Sequence, residues 1–374
     1  MAPYCRRCHG SLTEPACGGE RSIANQHLLS GCNTCKRGAC LSFFVLTVTG
    51  CIFLTVAALL TYVLVRYRGR AGDHAEPPQV FGSTQIELAW TIIPTLLLTV
   101  LFLGTARILF SVQNAPKSTS ALDVVAIGHQ FWWEFRYPKY NVVTANELHV
   151  PVNDPKHPTT TFIKLTSADV IHSFWVPELA GKTDLVPNRV NEMWIDPHTP
   201  GMYEGQCAQF CGSQHAKMLL RVYVDTPEEF RKWIENQQKT QESGTTPQSE
   251  ASLQKPNPGP QAGIPPNTPQ TFMRVSQDDL RAITPENGRR VFEQQACINC
   301  HTISGTVANG RYGPDLTHLM SRDTIASGAA LNTPANLKLW ITDPNIFKPG
   351  SLMPAMHLTD RQNEQITAYM TTLK

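Results

Sequence analysis

The chain has 374 residues, with 32 Lys and Arg against 30 Asp and Glu, for a formal net charge of +2. That length accommodates two or three domains, and so small a net charge excludes a broad electrostatic field for nucleic acid. The average composition is ordinary, but it hides two long apolar stretches.

Residues 1–40 are polar and cysteine-rich, with no fold signal. They include Cys5-Arg6-Arg7-Cys8-His9, then Cys17, Cys32, Cys35 and Cys40. No apolar signal region precedes Cys8. From Leu41 to Val65 there are 25 positions without a charge, and from Leu88 to Ala106 there are 19. A helix of about 20 apolar residues crosses a bilayer, so residues 41–110 read as a transmembrane hairpin. Its connection carries Arg66, Arg68 and Arg70. Short basic loops stay cytoplasmic, which places everything after Phe110 outside the cytoplasm. The basic tail (Arg6, Arg7, Arg21, Lys36, Arg37) opposes that topology; the chemistry downstream decides for it.

Residues 117–238 turn strand-like, as in Asp123 to Ile127, Thr160 to Leu165 and Leu220 to Val224. The runs are short and punctuated by Pro and Gly, which predicts a sandwich or Greek-key barrel. An amphipathic helix follows from Pro227 to about Gln237. Residues 239–270 are rich in Pro, Ser, Thr, Gln and Gly and hold almost no large apolar side chains, so they read as a flexible linker. Residues 271–374 become helical, with helices expected over Pro285 to Gln295 and Thr359 to Leu373.

Two motifs carry the chemistry. Cys207-Ala-Gln-Phe-Cys211-Gly-Ser-Gln-His215-Ala-Lys-Met218 packs two thiolates, an imidazole and a thioether into twelve residues. Soft sulfur ligands select copper. With two cysteines the sulfurs can bridge two copper ions, each then needing one histidine and one weak axial ligand. His215 and Met218 supply one of each. His172, in the preceding strand region, and the backbone carbonyl of Gln209 supply the others. A Cys207–Cys211 disulfide would leave His215 and Met218 without a role.

The second motif is Cys297-Ile-Asn-Cys300-His301, a C-x-x-C-H. Two thiols add across the haem vinyl groups, and the histidine ligates the iron. One such pair offers too few ligands for structural zinc. Met353, in Ser351-Leu352-Met353-Pro354, is the expected second axial ligand, with Met356 as competitor. The Met-Pro pair and the run Tyr312-Gly313-Pro314-Asp315-Leu316 resemble the ligand loop and haem-edge loop of bacterial cytochromes c. Cys5-Cys8-His9 has only about 30 residues before the membrane, none of them Met, too little chain to enclose a second haem.

The copper stretch, together with Gly128-His129-Gln130-Phe131-Trp132-Trp133, Asp169 to Arg189, Pro200 to Cys207 and Glu87 to Pro94, resembles cytochrome c oxidase subunit II. With the fused cytochrome c, residues 40–374 resemble bacterial oxidases whose subunit II carries its own haem. The resemblance implies a multidomain protein: a two-helix transmembrane hairpin, an all-β cupredoxin-like Greek-key domain and an all-α class I cytochrome c domain. It implies a bacterial plasma membrane, with the copper and haem domains on the periplasmic face. Electrons would pass from haem c to the copper pair and on to haem in subunit I. There, beside copper B, oxygen is reduced to water and protons are pumped. Implied partners are subunits I and III, other oxidase subunits, the lipid bilayer, and cytochrome c or another periplasmic donor.

Glu87 would stand at the mouth of a proton channel; a bland alternative is a carboxylate favouring the helix dipole. Phe131 aligns with the family's exposed tryptophan for electron uptake, with Trp132 and Trp133 beside it. Gln209 replaces a glutamate whose carboxylate also contacts magnesium, so the resemblance leaves magnesium open. The linker would span on the order of 30 Å and turn a second-order encounter into an intramolecular one. Two other functions compete: the copper subunit of a related nitric oxide reductase, and a membrane-anchored copper delivery protein.

Overall fold

The computed structural model describes residues 33–68, 79, 82–114, 121–153, 159–239 and 281–374, with side chains from Leu41 onward. The expectations for Cys5, Cys8 and His9, for Arg70 and for nearly all of the 239–270 linker fall outside the described residues.

Two helices, α1 (Asn33–Arg66) and α2 (Thr84–Gln113), form the hairpin. Their apolar spans, Leu41–Arg66 and Thr84–Gln113, exceed what a bilayer core requires, and neither is buried within the chain. Threonines dot both helices. Thr47, Thr55, Thr61, Thr91, Thr95, Thr99 and Thr105 each donate their hydroxyl to the carbonyl four residues back, which pairs these polar groups within their own helix. Both helices run past the uncharged stretches, because a helix ends where its backbone bonds end and not where its apolar run does.

Ten strands follow: β1 (Leu122–His129), β2 (Trp132–Tyr137), β3 (Val142–Ala145), β4 (Glu147–Pro151), β5 (Thr161–Ser167), β6 (His172–Trp175), β7 (Thr183–Leu185), β8 (Asn191–Ile195), β9 (Gly201–Cys207) and β10 (Leu219–Asp225). They form two five-stranded sheets, in the orders β3-β2-β1-β5-β8 and β4-β10-β9-β6-β7. Pairing is mixed: β1 runs parallel to β5 and β10 parallel to β4. Strand β10 alternates buried and part-exposed residues along its length, as a sandwich strand with one core face does. Val124, Trp133, Phe135, Leu148, Ile163, Phe174 and Leu220 fill the space between the sheets. Helix α3 (Pro227–Gln238) closes one end, packing Phe230 and Ile234 into that core. Its start is set by a reciprocal capping box between Thr226 and Glu229.

The C-terminal unit has α4 (Pro285–Gln294), the single turn α5 (Cys297–Cys300), α6 (Pro334–Thr342), α7 (Asp360–Met370), and a two-stranded ribbon pairing Thr324–Ile325 with Ala330–Leu331. Helices α4 and α7 cross at Gly288. A Cβ there would overlap the carbonyl of Gln365, so the crossing needs a residue without one.

Candidate copper and haem sites

Strand β6 delivers His172 and the end of β9 delivers Cys207. The loop after β9 brings Cys211, His215 and Met218 back to the same place. His172 and Met218 are 0% exposed, Cys207 3% and Cys211 4%. His172 Nδ1 lies 3.9 Å from Cys207 Sγ, Cys207 Sγ 3.9 Å from Cys211 Sγ, and Cys211 Sγ 3.7 Å from His215 Nδ1 and 3.8 Å from Met218 Sδ. The Gln209 carbonyl is 3.2 Å from Cys207 Sγ. All six residues predicted from the sequence therefore converge.

The sulfurs stand too far apart for a disulfide of ~2.05 Å. They lie within the ~4.6 Å that two ligands, each ~2.3 Å from one ion, can span. The donor set of thiolates, imidazoles and a thioether fits copper. Protons must leave when metal binds. A hydrogen bond from the Cys211 thiol brings Cys207 down to about 3, and the same bond, together with burial, pushes Cys211 up.

The histidine is held from behind. His172 Nε2 meets Asp169 Oδ1 at 2.8 Å, and that bond leaves Nδ1 to face the sulfurs. Burial would raise Asp169, but His172 and the N–H groups of Val170 and Gln130 together lower it. Gly128 makes room: a Cβ there would sit 2.7 Å from His172 Cδ2. Trp133 closes the floor, fully buried, with its ring 6.2 Å from that of His172.

In the C-terminal unit one cavity is lined by Cys297, Cys300, His301, Met353 and Met356, with an otherwise mainly apolar wall. His301 Nδ1 donates to the Pro314 carbonyl at 2.8 Å, which leaves Nε2 as the free ligand atom, and burial keeps the ring neutral. Arg322 also lines this cavity. Its Nε is buried without a partner, a cationic N–H suited to a propionate of haem. Thiols, imidazole, thioethers and this guanidinium fit haem c. Both Met353 and Met356 reach the wall, so the cavity admits either.

The same cavity is also lined by Gln130, Phe131, Trp132 and Asn146 of the sandwich. The two units share a polar seam. Glu147 accepts from the Asp323 and Thr324 amides and the Thr324 hydroxyl, at 3.0, 2.8 and 2.6 Å. Lys348 Nζ donates to the Phe131 carbonyl at 2.9 Å, and Lys217 Nζ to the Phe347 carbonyl at 2.7 Å. Phe131 and Trp132 are consequently only 8% exposed each. The exposed aromatic expected at Phe131 is instead a covered one, because the cytochrome unit lies over it. Glu87 sits in the first turn of α2, exposed.

Three family descriptions match: "Cytochrome C oxidase subunit II, transmembrane domain" over residues 35–107, "Cytochrome C oxidase subunit II, periplasmic domain" over 155–224, and "Cytochrome c" over 285–374. The cytochrome c oxidase subunit 2 of Alkalihalophilus pseudofirmus is 30% identical over 328 residues, which is 86% of this chain and 83% of the relative.

The chain belongs to the cytochrome c oxidase subunit II family.

The subunit 2 of a Bacillus species is likewise 30% identical over 328 residues, covering 82% of this chain and 80% of its own. The crystal structure of the periplasmic domain of subunit II (CoxB) of Bradyrhizobium japonicum covers 34% of this chain and 98% of that one, at TM-score 0.31 and 32% identity. Family membership and the fused cytochrome unit make this subunit II a membrane-anchored electron-transfer component of a haem–copper oxidase. Copper A and haem c are its implied cofactors, and other oxidase subunits and a cytochrome c donor its implied associates.

Sequence reasoning missed Asp169, Glu147, Arg322 and Lys348 as functional residues. Asp169 alone had a local signal, a carboxylate three residues before a ligand histidine.

Proposed function

We propose that this chain is subunit II of an aerobic cytochrome c oxidase in a bacterial plasma membrane, with both redox units on the periplasmic face. Residues 41–110 anchor it, 117–238 form the copper domain, 239–270 link, and 271–374 form the cytochrome domain. His172, Cys207, the Gln209 carbonyl, Cys211, His215 and Met218 hold two copper ions. Cys297 and Cys300 attach haem c, with His301 and Met353 as its axial ligands. When bound, the haem and the copper pair are one-electron carriers that feed haem in subunit I, where oxygen becomes water and protons are translocated.

The chain's own residues set the conditions. Asp169 fixes the His172 ring and Pro314 the His301 ring, so neither ligand must reorient when charge changes. Phe131 and Trp132 line the cavity, and Trp133 packs against His172 of the copper site, so these three are the candidates for the electron path. Glu87, at the start of α2, is the candidate for proton uptake; unchanged turnover in Glu87→Ala would remove that role. Gln209 supplies no carboxylate, so magnesium has no place in the proposal.

The observation that carries this reading is a single cavity walled by both the haem motif and the loop preceding the copper floor. The test is the electron paramagnetic resonance spectrum of the purified oxidase. A signal split by two equivalent copper nuclei, with one haem c per chain, is expected. A one-copper pattern would sink the binuclear site.

A further inference from the structure

A tether alone predicts a cytochrome unit that swings and collides. The seam is built otherwise. Glu147 is 2% exposed, yet both its carboxylate oxygens accept hydrogen bonds from Asp323 and Thr324 of the other unit. Three donors converging on one carboxylate select a single orientation. Lys348, 4% exposed, reaches the turn between β1 and β2 and donates to the Phe131 carbonyl. Burial lowers Lys348 to about 7. Either protonation form retains an N–H for that carbonyl, so the contact outlasts the titration.

The pose also aligns with the copper site. Gln130, next to the latched Phe131, lines the haem cavity and donates its side-chain N–H to the Cys211 carbonyl at 2.6 Å. One side chain therefore spans from the cavity wall to a cysteine of the copper cluster.

We infer that the cytochrome unit works latched to the copper unit in one pose, with Glu147 and Lys348 as its positioning residues and Gln130 as the bridge between cavity and Cys211. This rests on the electron-relay reading proposed above. Haem held by Cys297, Cys300 and His301 and copper held by Cys207, Cys211 and His172 would supply a one-electron exchange that needs no proton or third reactant.

The test uses the intact oxidase in two altered forms. In the first, residues 240–270 are duplicated, and haem oxidation and copper reduction are followed after flash reduction of the haem. A swinging unit loses about threefold in rate when its tether doubles, as local concentration falls with the −3/2 power of length. A latched unit keeps its rate, and a threefold loss overturns the proposal. In the second, Lys348→Met, amide exchange is read at Asp323 and Thr324, whose acceptor Glu147 is untouched. If both residues hold one pose, these amides exchange about tenfold faster; unchanged exchange means the contacts are independent and no latch exists. The exchange readout needs no copper. Missing copper would therefore count against the relay and still leave the latch decided.

Discussion

The copper unit and the cytochrome unit solve opposite problems. The sandwich buries 26 apolar residues in one core, and its metal ligands are a corner of that core. The cytochrome unit buries ten, and seven of them (Phe292, Leu319, Ile325, Leu337, Ile341, Ile366 and Met370) line the haem cavity. In one unit the protein makes the site; in the other the cofactor completes the protein.

Removing the cofactors separates the two most sharply. With Cys297→Ala and Cys300→Ala together, no haem is attached and the cavity wall loses its filling. Residues 281–374 should become wholly protease-sensitive, while the copper spectrum of residues 121–239 persists. Chelating copper should do nothing comparable to the sandwich, and limited proteolysis of both forms measures the contrast.

Acid probes the sandwich next. Burial raises Glu134, but His129 at 3.1 Å and the neighbouring Arg136 outweigh it and bring the carboxyl down to about 2. A carboxyl lower in the folded than in the unfolded chain contributes stability above its ordinary value of 4.5, and that stability is lost as pH falls toward 2. The contribution is about 3 kcal/mol. Denaturant midpoints of the copper unit between pH 5 and 2 should fall accordingly, and Glu134→Gln should flatten the slope.

Asp169→Asn removes the acceptor behind His172 and should weaken copper binding by about 10- to 100-fold. Competition with a chelator measures this, and the haem absorbance should stay unchanged. The smallest effect belongs to the cytochrome unit. Thr359→Ala removes the capping box that starts α7 and should cost about 1 kcal/mol, read as a drop in melting temperature of the haem-loaded unit.

The ligands were legible because their chemistry forces local patterns. Cys207, Cys211, His215 and Met218 must lie within one loop, and Cys297, Cys300 and His301 must fit one haem edge. Both membrane helices were legible from uncharged length. Helix α6 (Pro334–Thr342) was not, because nine residues of mixed polarity give no clear period. The seam was not legible either. Glu147 is a single carboxylate in a strand and Lys348 a single amine before a glycine turn, and their meaning lies 176 or more residues away.

The covering of Phe131 and Trp132 bears on how the oxidase is supplied. The haem cavity's accessible rim is marked by Tyr312 and Leu352, each about half exposed. A soluble reductant that collides there meets the haem edge, while Phe131 and Trp132 are covered. With haem c as the proposed point of entry, donors compete for that rim, and raising their number saturates it. Reduction of copper should always trail reduction of haem, whichever donor is in excess.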